Sequence, residues 1–474
     1  MCRTNIAHLT RSGIVLTAPS CCALGVPSAG PTRWCGGVRR EASLMRQDRA
    51  VTHILDDLQW RGLLAQTTDA DALRAALDAG PLTFYCGFDP TGPSLHVGHL
   101  TQVLTMRRLQ LAGHRPLALA GGATGLIGDP KPGSERSMLS LADAADNVRR
   151  IEAQLARFLA FDDSPSGAVA VNNLDWTAPM DVISFLRDIG KHFSVNRMLD
   201  REAVKARLEG SGISYTEFSY VLLQSMDYLE LRRRHDCRLQ IGGSDQWGNI
   251  TAGCELVRRV DGEHVHALTT HLLTKADGTK FGKTESGSVW LDPSMTSPYA
   301  FFQFWLNTDD RDVSRYLRVF SFRSHEEIAQ LEASAQAKPA AREAQRALAR
   351  ELTALVHGAE AAQQAEDAAR ALFGQAELSA IDEATLEAAL AEAGLVDEPG
   401  EGACTIVDLL TATGLVDSKS AARRAVTEGG AYLNNVRVED PETVPAQGDW
   451  LHGRLLVVRR GKRSIAGVVR PGRQ

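Results

Sequence analysis

Between Leu82 and Leu291, short apolar runs alternate with amphipathic helical stretches. LTFYCGF (82–88), RPLALAGG (115–122), GAVAVNN (167–173) and CRLQIGG (237–243) read as strands buried on both faces. Each closes in a turn containing Gly or Asn, or runs into one. Between the second and third, LADAADNVRRIEAQLARFLA (141–160) places Val148, Ile151, Leu155 and Phe158 on one helix face. Alternation of this kind predicts a doubly wound parallel α/β sheet, whose ligands bind at the carboxyl ends of the strands.

From about Tyr299 the pattern changes to helices rich in Ala, Glu and Arg, such as PAAREAQRALARELTALVHG (339–358), which stops at a glycine. DEPGEG (397–402) reads as a linker. Beyond it, CTIVDLLTATGLVDSKSAARRAVTEGGAYLNN (404–435) predicts two short helices turning into a strand, followed by the apolar run GRLLVVRRGKRSIAGVV (453–469). The expected organisation is therefore an extension (1–44), an α/β domain (45–298), a helical domain (299–375), a linker (376–402) and a compact α+β module (403–474).

Composition changes this picture at the two ends. The chain carries a net charge of −6, yet residues 418–474 hold eleven Lys and Arg against five Asp and Glu. A basic end on an acidic body fits contact with a polyanion, or equally a solvated basic tail. Residues 1–44 contain Arg3, Arg11, Arg33, Arg39 and Arg40 and no acid before Glu41. They read as an organellar transit peptide or as residues upstream of a start at Met45, and are expected to be disordered. The first alternative would place the protein in an organelle, the second in the cytoplasm. Of eight cysteines, none forms a C-x-x-C pair, which argues against a disulfide framework or a zinc site. No apolar run approaches the roughly 18–20 residues of a membrane span.

Candidate chemistry concentrates in YCGFDPTGPSLHVGHLTQVLTMRRLQLAGH (85–114). A strand, a Gly/Pro loop and a helix capped by Ser94 are expected, with His96, Gly98 and His99 in the first turns. Free N–H groups at such a helix start attract phosphate, and positions i and i+3 share a face. Gly98, lacking a Cβ, allows a close approach. A zinc pair lacking its third ligand and a pair of ordinary surface histidines are the competing readings. A second basic loop, LLTKADGTKFGKTESG (272–287), almost matches a P-loop, but Asp277 stands where the first glycine is required, so that motif is rejected. Alone, the loop also reads as a solvated lysine-rich turn. Tyr220, Gln224 and Asp227, spaced i, i+4, i+7, make a polar stripe on an otherwise apolar helix.

Taken together these strings resemble the class I aminoacyl-tRNA synthetases, and among them the bacterial-type tyrosyl-tRNA synthetases. HVGH (96–99) stands where the family has HIGH, and KFGKT (280–284) where it has KMSKS. YCGFDPT, GGATGLIGDP, KHFSVNRML, YTEFSYVLLQSMDYL and GGSDQWGN extend the likeness from about Leu58 to the C-terminus. The resemblance implies a Rossmann-like catalytic domain, then a helical domain facing the anticodon arm, then a ribosomal-protein-like RNA-binding domain. It implies activation of tyrosine by ATP and transfer to tRNA. Tyr85 and Asp227 would bind the tyrosine hydroxyl; Tyr220, Gln224 and Asp129 its α-ammonium group. Asp245 and Gln246 would meet the ribose and the reacting carboxylate, with Gly243 beside them. Cys86, Gly87, Asp89, Thr91 and Gly98 would line the ATP side. His96, His99 and Thr91 would face Lys280, Lys283 and Thr284 across the departing pyrophosphate. Magnesium would arrive with the nucleotide, with no metal held by the protein itself. Lys419, Arg423, Arg424, Arg437, Lys462 and Arg463 would contact the RNA backbone. KHFSVNRML and its surroundings suggest a homodimer. Tryptophan as substrate, or an RNA-binding protein that keeps the fold without the activity, are the rivals.

Overall fold

The computed structural model describes residues 53–130, 139–279, 281–284, 287–400, 404–461 and 464–470. The extension 1–44 lies outside the described residues, as do Lys280, Lys462 and Arg463 and the side chains of Lys283 and Thr284.

Six strands form the main sheet: β1 (Leu64–Thr67), β2 (Thr83–Phe88), β3 (Arg115–Ala120), β4 (Val169–Asn172), β5 (Cys237–Gly243) and β6 (His266–Thr270). Their spatial order is β1-β6-β5-β2-β3-β4. β2, β3, β4, β5 and β6 run parallel, and β1 closes one edge antiparallel to β6. The chain winds from β2 outward to β4, then returns to β5 on the other side of β2. The reversal therefore lies between β2 and β5, which is where open α/β sheets bind ligands. Burial on both faces explains why β2, β3 and β5 read as nearly continuous apolar runs. β1 and β6 were not among the four strands expected: β1 is only partly buried and β6 is HALTT, so neither has an apolar run to find.

The helix after β2 spans Val97–Leu111 and is capped by His96 rather than Ser94. Its first N–H, on Val97, donates to the Val289 carbonyl at 2.9 Å, so the helix starts where an extended segment supplies that acceptor. Ser94 is buried instead against Gln154 of helix Leu141–Leu155. On that helix Val148, Ile151 and Leu155 are buried, with Phe158 just past its end.

Helices Pro298–Leu306, Asp310–Phe320, His325–Ala337, Glu343–His357 and Ala359–Ala371 follow. Their core of Phe301, Phe302, Trp305, Phe320, Leu348 and Leu352 is continuous with the core on one face of the sheet. Two buried arginines clasp the join. Arg61 donates to the carbonyls of Arg318 and Ser321, and Arg108 to those of Val319 and Ser321. Each guanidinium satisfies carbonyls left over at a helix C-terminus.

The stretch 376–402, expected as a linker, instead holds helix Glu383–Ala393 and the strand Leu395–Asp397. That strand runs parallel to Ser464–Val469 and is the edge of a five-stranded sheet whose other members are Ala431–Leu433, Val436–Arg437 and Leu455–Arg460. Leu386, Ala389 and Leu390 are fully buried, which the acidic and glycine-rich surroundings obscured. Helices Ile406–Ala412 and Lys419–Thr427 pack on this sheet through Ile406, Leu409, Leu410, Ala422 and Val426. Among the described residues, no helix is long and apolar enough to cross a membrane.

Candidate active site

A cavity of about 970 Å³ opens at the carboxyl ends of β2 and β5, at the point where the strand order reverses. Tyr85, Cys86, Gly87, Asp89 and Thr91 reach it from β2 and its loop. Gly98 and His99 reach it from the helix start, Tyr220, Gln224 and Asp227 from helix Tyr215–His235, and Gly243, Asp245 and Gln246 from the end of β5. Asp129 lines it too. Residues far apart in sequence thus converge because strand ends and helix starts share one edge of the sheet.

Three carboxylates are each held by a distinct set of donors. Asp227 accepts from Asn173 Nδ2 at 3.0 Å and Trp176 Nε1 at 2.9 Å. Burial pushes its carboxyl up to about 7 despite both hydrogen bonds. Asp89 accepts from the Tyr220 hydroxyl at 2.8 Å and from Thr124 Oγ1 at 2.7 Å. Asp129 accepts from Gln246 Nε2 at 2.9 Å and Asn249 Nδ2 at 3.2 Å. Its carboxyl too is raised by burial, which those hydrogen bonds oppose.

Deep in the cavity, polar atoms wait for a partner. Tyr85 Oη, Gln224 Oε1 and Gln240 Oε1 are buried and, among the described residues, make no hydrogen bond. Buried polar atoms are nearly always satisfied, so three orphans lining one cavity call for a polar ligand. Apolar surface surrounds them: Tyr85 lies edge-on to Tyr228 at 5.2 Å, within a cluster of Leu117, Leu119, Met226 and Leu229. Burial also pushes the Cys86 thiol up to about 12, so it is a small strand side chain and not a nucleophile.

At the outer end, the two histidines form a reciprocal cap. His96 Nδ1 accepts from the Gly98 N–H at 3.0 Å, and His99 Nδ1 accepts from the His96 N–H at 3.1 Å. With both Nδ1 atoms accepting, each neutral ring carries its hydrogen on Nε2 and is a donor there. The rings stack at 4.0 Å. Gly98 is needed locally, since a Cβ would lie 2.7 Å from His96 Cε1. The close approach inferred for Gly98 is thus made by the capping ring.

The second basic loop is seated directly on this helix start. Gly282, at φ +78°, would drive a Cβ to 2.7 Å from Val97 Cγ2. The Val289 N–H donates to the Gly282 carbonyl at 3.1 Å, while the Val289 carbonyl takes the Val97 N–H. The backbone of Lys283–Thr284 pairs with Gly287–Ser288 as a short hairpin. Phe281 packs among Phe304, Trp305, Tyr316 and Phe320 of the helical region. HVGH and KFGKT, read separately from sequence, are therefore neighbours in space.

In the C-terminal module Lys419 pairs with Asp408 at 2.8 Å and Arg423 with Glu442 at 2.5 Å, while Arg424 and Arg437 are exposed. Several site residues had not been singled out: Thr124, Asn173, Trp176, Arg201, Gln240 and Asn249. Asn173 carried a signal, standing just after β4 at the carboxyl edge of the sheet, and Thr124 and Asn249 stand in GGATGLIGDP and GGSDQWGN.

The family described as tRNA synthetases class I (W and Y) matches residues 77–374, and the tyrosine–tRNA ligase SYY-like C-terminal domain matches residues 395–466. The tyrosine–tRNA ligase of Nocardia farcinica is 62% identical over 425 residues, covering 88% of this chain and 99% of that protein. That of Thermobifida fusca is 60% identical over 430 residues, covering 88% and 100%. Among solved structures, a C-terminally truncated mitochondrial tyrosyl-tRNA synthetase of Aspergillus nidulans superposes with a TM-score of 0.63 at 30% identity, covering 71% of this chain and 99% of that one. With the sheet reversal, the joined motifs and an alignment that spans the catalytic and helical regions alike, the chain belongs to the class I tRNA synthetases of the tryptophan and tyrosine group.

Proposed function

We infer that the chain is a tyrosine–tRNA ligase, which joins tyrosine to ATP as an adenylate and then passes it to tRNA. Identity of 62% to a tyrosine–tRNA ligase over 88% of the chain supports this reading. The observation that carries the choice of substrate is the buried pair Tyr85 and Asp227, both lining the cavity and both beyond the reach of bulk water. A phenol entering there donates to Asp227 and meets the unpartnered Tyr85 hydroxyl; a phenyl ring leaves the Tyr85 hydroxyl unpaired, at a cost of about 1–3 kcal/mol, and brings Asp227 no donor beyond Asn173 and Trp176.

The remaining assignments are those the family resemblance suggests, and the cavity lining supports several of them. Gln224, with its orphan carbonyl oxygen, and Asp129 face the α-ammonium group, and Tyr220 supports that end through Asp89. Asp245 and Gln246 meet the ribose and the reacting carboxylate. Cys86, Gly87, Asp89, Thr91, Gly98 and Gly243 line the nucleotide side. The tyrosine carboxylate is already ionised and attacks the α-phosphate without a general base, so the chain contributes orientation and charge stabilisation. Donation from His96 and His99 Nε2 and from Thr91, together with Lys280, Lys283 and Thr284, stabilises the leaving pyrophosphate. Magnesium enters as part of the nucleotide substrate. The adenylate then passes to the terminal ribose of tRNA.

RNA contacts by Arg424 and Arg437, with Lys419, Arg423, Lys462 and Arg463, give salt-dependent affinity without base specificity. Large apolar side chains exposed between residues 182 and 199 support a homodimer. We place the enzyme in the cytoplasm.

Amino-acid-dependent pyrophosphate–ATP exchange with tyrosine, phenylalanine and tryptophan tests the reading. Exchange with tyrosine alone is expected; its absence overturns the proposal, and exchange with tryptophan reassigns the substrate.

A further inference from the structure

Around Asp129 the hydrogen-bond directions are set from both ends. Arg201 Nη2 donates to Asn249 Oδ1 at 2.6 Å. Asn249 Nδ2 donates to Asp129 Oδ1 at 3.2 Å and to Gln246 Oε1 at 3.0 Å. Gln246 Nε2 donates to Asp129 Oδ2 at 2.9 Å. An arginine only donates and an ionised carboxylate only accepts. Between them, the Asn249 oxygen must face Arg201, which turns its NH2 toward Asp129 and Gln246. The Gln246 oxygen must then face Asn249, which turns its own NH2 toward Asp129. Two amides that could each flip are locked into a single arrangement by one guanidinium. Space for it is reserved at Gly248, where a Cβ would lie 3.0 Å from Arg201 Nη2.

We infer that Arg201 is a positioning residue for the α-ammonium group of the substrate, acting through Asn249 and Gln246 on the orientation and charge of Asp129. The inference rests on the reading of Asp129 as the ammonium partner. Arg201 lines the same cavity and supplies positive charge near a carboxylate that burial alone would tend to protonate. The other groups facing Asp129 are Asp245, from the turn after β5, which opposes ionisation, and Tyr220, a buried neutral phenol from helix Tyr215–His235. Removing Arg201 therefore has a signed consequence. Asp129 takes up its proton at a higher pH, and affinity for an ammonium ion is lost on the acid side first.

The test is tyrosine-dependent pyrophosphate–ATP exchange on the full chain between pH 5.5 and 9. Arg201→Ala is expected to raise KM for tyrosine by about 10- to 100-fold, the scale of a lost charge-assisted hydrogen bond, with kcat and KM for ATP changing less than about threefold. The acid limb of 1/KM for tyrosine moves to higher pH. Arg201→Lys, which keeps the charge but not the fork, restores the acid limb and only part of the affinity. Arg201→Ala with Asn249→Ala is no worse than the worse single variant, because both act on one path. Gly248→Ala, which displaces the guanidinium without removing it, moves KM in the same direction and carries the test should Arg201→Ala not fold. Wild-type KM and an unmoved acid limb in Arg201→Ala, or in Gly248→Ala where Arg201→Ala does not fold, overturn the inference. So does a loss confined to kcat. Two other results would fall on the functional reading itself: no tyrosine-dependent exchange by the unmodified chain, or an Asp129→Asn variant with unchanged KM.

Discussion

Tyr85 carries a buried hydroxyl that a polar ligand can satisfy. Its hydroxyl is fully buried without a partner among the described residues, and burial holds the phenol well above its ordinary pKa, so it stays a neutral donor. Asp227, raised to about 7, is an acceptor at and above neutral pH and is pinned by Asn173 and Trp176. Discrimination between tyrosine and phenylalanine is therefore expected to depend on both. Tyr85→Phe should lower the ratio of kcat/KM for tyrosine over phenylalanine by roughly one to two orders of magnitude, the equivalent of ~1–3 kcal/mol for one unpaired group. The fold should hold, because only an unpartnered oxygen is removed. Paired exchange assays with the two amino acids measure the ratio, and an unchanged value would remove Tyr85 from the recognition of the hydroxyl. Sequence made Tyr85 and Asp227 visible because they stand at a strand end and on a helical polar stripe. It left Trp176 and Arg201 hidden: their partners lie 51 and 48 positions away, and no local period marks them.

Helix Val97–Leu111 shows one element performing two tasks with the same side chains. His96 and His99 satisfy orphan N–H groups at its start, and their remaining ring nitrogens are the donors proposed for phosphate. The tasks separate by substitution. His96→Ala should cost about 1 kcal/mol of stability, as loss of an N-cap usually does, and should also slow tyrosine activation. His96→Asn keeps a good cap, so it should unfold near the wild-type midpoint yet remain slow. Denaturant unfolding beside exchange kinetics checks this, and equal loss of stability in both variants would sink the division of roles. The cap also marks a limit of sequence reading. Ser94 is an excellent capping residue by type, yet the helix begins later because Val289 offers its carbonyl to Val97, from a segment nearly two hundred residues on. Likewise β2, β3, β4 and β5 were legible as apolar runs, whereas β6 ends in threonines buried by neighbours that no local pattern names. Strand Leu395–Asp397 was hidden by the acidic, glycine-rich turn that follows it.

On the scale of the whole molecule, the end of the site proposed to hold phosphate is built jointly by the α/β and helical regions. Phe281 sits in the aromatic cluster of the helices, Gly282 rests on Val97, and Arg108, at the far end of the same helix, holds the carbonyls that close Asp310–Phe320. Apolar side chains that find no such cover lie elsewhere. Val182 is 71% exposed, Ile183 69% and Val195 58%, with Leu186 and Leu199 also exposed. Soluble monomers rarely display so many large apolar groups within one short stretch, and the proposed homodimer would cover them with a second copy of the chain. A two-fold contact doubles the effect of each substitution, since every residue occurs on both sides. Ile183→Glu places two carboxylates in that contact, where their desolvation is not repaid. The variant should sediment as a monomer at concentrations where the unmodified chain is a dimer, while Ile183→Leu should leave the mass unchanged. Sedimentation velocity across a dilution series decides the matter: a monomeric unmodified chain, or an Ile183→Glu variant of unchanged mass, would show that something other than a second copy covers this face.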